Sequence, residues 1–228
     1  MNIYLYLLLG SLAVPLLLSF DKKLQFYKKW KFILPAISIV AAVYLAFDVL
    51  LTHLGVWGFN AEYHSKQLLL GLPLEEWLFF FVIPYASLFL HHSFILYFPN
   101  IQLTNKLSKM ISFILIVIFL FLIGANYHRI YTVYILSFAV LAMVISFFQK
   151  KKILNQFLIT YLIILIPFIL VNAILTGTFI DGEVVWYNNE ENLGIRFLTI
   201  PIEDFAYAFS MLLFSLQLSS YFEPHSQN

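Results

Sequence analysis

Five of the twelve acidic residues fall within, or at the mouth of, long apolar runs: Asp48, the pair Glu75–Glu76 and the pair Glu203–Asp204. An ionisable group inside a membrane segment is expensive and rare, so each is a candidate for function. Both pairs follow a proline in the pattern Pro-x-acid-acid, at Pro73 and Pro201. Proline at the first helical position with acids in the first turn is also ordinary helix N-terminal chemistry. Ser, Thr or Asn would cap a helix at lower cost in a membrane, so capping alone is a poor reason for two acid pairs. Adjacent residues on a helix point about 100° apart, so one acid of each pair can face a cavity while its neighbour supports it. Glu75 shares a helix face with Phe79, and Glu203 with Tyr207. In apolar surroundings a carboxyl group is driven towards its neutral form. A neutral carboxylic acid in a dry aromatic pocket is suited to protonating a weakly basic carbon–carbon double bond, and aromatic faces stabilise the resulting cation.

The elements that must position these acids are apolar helices. Of the residues, 62% are hydrophobic, 19% aromatic and only 11% charged, against about 25% charged in a soluble domain. Seven apolar segments are expected, at about 3–20, 32–52, 73–98, 110–124, 130–148, 153–175 and 199–222. Each is near the ~20 residues that cross a ~30 Å hydrocarbon core. The fold class is therefore an all-α, polytopic membrane bundle. The first segment has its lysines after it and no small-residue cleavage site, so it reads as a retained helix. Lys22, Lys23, Lys28, Lys29, Lys31, Lys106, Lys109, Lys150, Lys151 and Lys152 lie on one side, ten of the thirteen basic residues. The positive-inside rule then puts the N-terminus outside a cell membrane and the C-terminus in the cytoplasm.

The two proline–acid stretches belong to a faint internal repeat. Leu72 to Trp77 matches Ile200 to Phe205 at a shift of 128, and Asn60 falls on Asn188 at the same shift. Asp48 and Thr52 fall on Asn172 and Thr176 at a shift of 124, and Ser19-Phe20 on Ser146-Phe147. The expected organisation is a first three-helix unit at 1–99, a linker with the fourth helix at 100–128, and a second unit at 129–228. The extra crossing makes the two units parallel. Both proline–acid motifs then start helices at the same side of the membrane and can face one cavity.

Several classes of function are disfavoured. There is no cysteine, which excludes disulfides, thiolate metal sites and cysteine nucleophiles. No glycine-rich dinucleotide or phosphate motif is present, and no histidine pair has metal-ligand spacing, so no cofactor and no metal are expected. A net charge of +1 gives no reason to expect nucleic acid. A retinal protein needs a lysine in its last helix, and the last lysine is Lys152. A prenyl-transfer enzyme would need an aspartate-rich magnesium motif, which is missing. A small proton-coupled transporter or binding protein remains an alternative, because parallel repeats with buried acids suit it as well.

The run Phe47-Asp48 to Thr52, Gly55, Trp57, Phe59-Asn60 and Tyr63, followed by Leu72-Pro73-Leu74-Glu75-Glu76 and Phe79-Phe80, resembles the lycopene cyclase domain. That family is membrane-embedded and occurs as two small subunits in some bacteria and as a fused domain in fungi; this chain resembles the fused form. The resemblance implies non-redox cyclisation of the linear ends of lycopene or a close carotenoid to β-rings, a lipophilic substrate taken from the bilayer. It places Pro73, Glu75, Glu76, Pro201, Glu203 and Asp204 at the motif positions. On this reading Glu75 or Glu203 donates the proton and Glu76 or Asp204 removes one. Asp48, Asn60, Phe79, Asn172, Asn188 and Tyr207 support the site or bind substrate. A relative that forms another ring or hydrates the end group is the nearest alternative.

Overall fold

The apolar runs fold into seven helices in a computed structural model that describes residues 2–149 and 153–223. Lys150, Lys151 and Lys152 of the basic tally, together with residues 224–228, lie outside the described residues. The helices are α1 (Ile3–Leu18), α2 (Trp30–His53), α3 (Leu74–Tyr97), α4 (Asn105–Ala125), α5 (Ile130–Phe148), α6 (Ile153–Leu175) and α7 (Ile202–Phe222). Among the described residues, α2 to α7 are long and apolar enough to cross a membrane, and α1 is a shorter apolar helix. Its 16 residues span about 24 Å at ~1.5 Å per residue, less than the hydrocarbon thickness.

α1 packs on α3, and α5 packs on α7. α2 lies against α3 and α7, while α6 lies against α3, so α3 and α7 form the centre. α4 packs mainly along α5 and α6 and exposes Phe113, Val117, Leu120 and Phe121. An apolar helix with so much exposed apolar surface fits a lipid-facing connector.

The loops sort to two ends. At one end Lys29 bridges Glu223 at 3.2 Å, Lys23 lies over the Tyr97 ring, and the Leu103 N–H bonds the Asn155 carbonyl. The α1–α2 loop, the α3–α4 loop, the start of α6 and the end of α7 therefore share that end. At the opposite end, among the described residues, six short strands cover the bundle: β1 (Trp57–Phe59), β2 (Leu68–Leu69), β3 (Leu72–Pro73), β4 (Val185–Tyr187), β5 (Arg196–Phe197) and β6 (Ile200–Pro201). The sequence reading had none of them. β2–β3 and β5–β6 are tight hairpins leading into α3 and α7. Because Ile200 and Pro201 belong to a hairpin, α7 starts at Ile202 instead of near residue 199.

β1 pairs antiparallel with β4, with Gly58 opposite Trp186 and with Trp57 and Phe59 opposite Tyr187 and Val185. A Cβ on Gly58 would lie 2.4 Å from the Trp186 ring, so a close approach requires glycine there. The bonds on either side come in matched pairs. The Asn60 N–H bonds the Val184 carbonyl and the Asn188 N–H bonds the Val56 carbonyl, both at 2.9 Å. Tyr4 N–H to Tyr63 recurs as Tyr131 N–H to Glu191, and Leu74 N–H to Gln67 as Ile202 N–H to Ile195.

Candidate functional site: an acid-lined aromatic chamber

Pro73 and Pro201 are the N-caps of α3 and α7, each in extended conformation, with φ of −58° and −55°. The acids follow as second and third helical residues, and the turn of the helix sends them to different surroundings. Glu75 and Glu203 turn back to the loops. Glu75 accepts from the Ser65 N–H at 2.8 Å, the Ser65 hydroxyl at 3.0 Å and the Asn2 amide at 2.5 Å. Glu203 accepts from the Leu193 N–H and the Thr132 hydroxyl, both at 2.7 Å. These carboxyl groups tie down the ends of α1 and α5 and the loops before α3 and α7.

Glu76 and Asp204 turn inward to one cavity of about 70 Å³ between the α1–α3 and α5–α7 pairs, which holds a few water-sized groups. Asp48 lines it too, as do the aromatic side chains Trp57, Phe79, Phe168 and Tyr207. No Lys, Arg or His side chain is among its lining residues. Glu76 accepts a hydrogen bond from the Tyr4 hydroxyl. Asp204 accepts from the Tyr131 hydroxyl at 2.5 Å, the Tyr187 hydroxyl at 3.0 Å and the Asn172 amide at 2.9 Å. Asp48 accepts from the Trp57 indole N–H at 2.6 Å through Oδ1, while its Oδ2 is buried without a partner. Tyr187, on β4, has its phenol held well above the usual range by burial, and next by the neighbouring Asp204 carboxyl. It therefore stays protonated and donates.

Of the residues singled out from sequence, the structure brings together Asp48, Glu76, Phe79, Asn172, Asp204 and Tyr207. It holds Glu75 and Glu203 outside the cavity, although each shares a helix face with a cavity-lining aromatic. Asn60 and Asn188 are loop builders: each side-chain oxygen accepts from the backbone N–H two residues on, at 3.0 Å. The sequence reading missed Tyr4, Tyr131 and Tyr187. Tyr4 and Tyr131 stand 127 residues apart, the shift already visible at Ser19 and Ser146, and that was a usable signal. Tyr187 replaces Phe59 at the 128 shift and carried none. His91, outside this chamber, shares a 2.6 Å hydrogen bond with Thr160. Among the described residues no group of three His, Cys, Asp or Glu side chains is placed to hold a metal ion.

Among the described residues, six membrane-length helices around a buried carboxyl cluster define a multi-pass membrane protein with a polar chamber in an apolar bundle. The chain belongs to the lycopene cyclase family, whose model matches residues 1–94 and 128–222. The unmatched stretch between them contains α4. No curated protein and no solved structure matches the chain.

Proposed function

We propose that this protein is a lycopene β-cyclase that closes the linear end groups of lycopene, or a close carotenoid, by acid catalysis and without net redox change. The observation that carries the mechanism is the convergence of Asp48, Glu76 and Asp204 on one aromatic-lined cavity whose lining contains no cation. Three negative charges buried together without a counter-ion are prohibitively costly, so the cluster retains protons. Family membership supplies the substrate class; the β-ring rests on the same likeness.

In this reading Asp48 is the general acid. The indole N–H of Trp57 occupies Oδ1 and leaves Oδ2 free to carry a proton into the cavity. Its transfer to the terminal double bond leaves a tertiary cation, which the faces of Phe79, Trp57 and Tyr207 stabilise. The internal double bond of the same end group attacks that cation and forms the new ring bond. Asp204, held as the carboxylate by three donors, removes a proton from the ring carbon and restores a double bond. Glu76, within electrostatic reach of both aspartates, returns the proton to Asp48. One proton enters and one leaves, so substrate and product are isomers. Glu75 and Glu203 are positioning residues. The protein sits in the cell membrane with its N-terminus outside, and residues 1–99 and 129–228 act as parallel halves around the chamber.

Purified protein in lipid vesicles, given lycopene under anaerobic conditions with no added nucleotide, is expected to form β-ringed product of unchanged mass. A strict requirement for a reduced nucleotide or flavin would contradict the acid scheme.

A further inference from the structure

An apolar groove of about 310 Å³ runs between α1, α3, α6 and α7. It shares Phe79, Ile83, Phe168, Asn172, Ala208 and Met211 with the acid chamber, so the two spaces adjoin. Its α1 wall is Gly10, Ser11, Val14 and Pro15, and a Cβ at Gly10 would meet nothing within 4 Å. Ala86 on α3 and Val171 on α6 are small residues on the other walls, which also carry Phe79, Phe89 and Phe168.

The matching place in the other half lies between α5, α7, α2 and α3. At the shifts of 127, 128 and 124, Ser11 becomes Phe138, Ala86 becomes Phe214 and Val171 becomes Phe47. These rings pack together there. Phe138 contacts Phe47 at 5.3 Å and Phe214 at 6.1 Å between centroids, and Phe47 stacks on Tyr134 at 4.7 Å. Tyr44 closes the inner side, 5.3 Å from Phe138 and 5.1 Å from Tyr207.

We propose that the carotenoid reaches the acids only through the α1–α6 side, and that the corresponding α2–α5 entrance is closed by Phe47, Phe138 and Phe214. This rests on the cyclase reading above. A single entrance admits one end of a two-ended polyene at a time. The monocyclic compound must then leave and return by its other end, so it accumulates before the bicyclic product when substrate is in excess.

The cysteine-free chain allows a direct test. Ser11→Cys and Phe138→Cys proteins in lipid vesicles are treated with a membrane-permeant benzyl methanethiosulfonate until intact mass shows complete conversion to the mixed disulfide. Turnover after treatment is compared with turnover of the same variant before it. Blocking the open groove at Ser11→Cys should lower turnover by about tenfold or more, restored by dithiothreitol, against less than about twofold at Phe138→Cys. Ala86→Phe, scored per folded protein, should lose turnover comparably. Unchanged turnover in fully blocked Ser11→Cys, or equal losses at both sites, would overturn the proposal. Absence of ring formation by the unaltered protein would instead overturn the cyclase reading, and this inference with it.

Discussion

Glu75 and Glu76 are neighbours in sequence separated by about 100° of helix rotation, and that rotation decides what each carboxyl meets. Glu75 meets backbone and hydroxyl donors of the loop; Glu76 meets Tyr4 and the chamber. Glu203 and Asp204 repeat the division. Glu75→Gln and Glu203→Gln keep size and part of the hydrogen bonding. Each is expected to cost about 0.3–1 kcal/mol of stability, the scale of a charge at a helix N-terminus, with turnover largely kept. Thermal unfolding and turnover of the purified variants check this. A loss of about a hundredfold in turnover at unchanged stability would put the acid back on Glu75 or Glu203. The candidate acids were legible because charge in an apolar run is conspicuous. Which member of each pair faces inward was not, because it depends on the Ser65 and Leu193 N–H groups, whose positions are set by hairpins the sequence does not advertise.

Helices α5 and α6 were legible to the residue, since each is a long apolar run between polar breaks. α4 starts at Asn105, ahead of the expected residue 110, because Thr104 caps it by accepting from the Leu107 N–H and its first turns carry Lys106 and Lys109. Strands of two or three residues escape any periodicity argument, and β1 finds its partner β4 far along the chain. Seven helices with loops sorted to two ends make a topological prediction. A reporter at the C-terminus should be cytoplasmic, because ten of the thirteen basic residues lie in the loops and adjoining helix ends assigned to that side. A reporter inserted within residues 181–191 should be outside. Finding both on one side would mean that α7, the helix between them, does not cross the membrane.

Across the whole molecule, β1 and β4 pair with Gly58 opposite Trp186, the residue 128 positions on. An antiparallel pair centred on equivalent residues is what a twofold axis through the chamber roof would produce, and the matched bonds around it follow the same shift. In the proposed mechanism the two halves differ where the chemistry needs direction. Asp48, with a free oxygen, has Asn172 as its counterpart at the 124 shift, and Asn172 donates to Asp204. The free oxygen lies in one half and the fully bonded carboxylate in the other, so the proposed reaction has an acid end and a base end.

The proposed mechanism therefore needs Asp48 and Asp204, which line one chamber. The measurement is turnover of lycopene per folded protein in lipid vesicles for Asp48→Asn and Asp204→Asn, with Glu75→Gln as reference. Loss of a general acid or base should lower turnover by roughly 10²–10⁴-fold in both aspartate variants, while membrane abundance holds and the reference stays active. Near-normal turnover in Asp48→Asn and Asp204→Asn at normal abundance would contradict it.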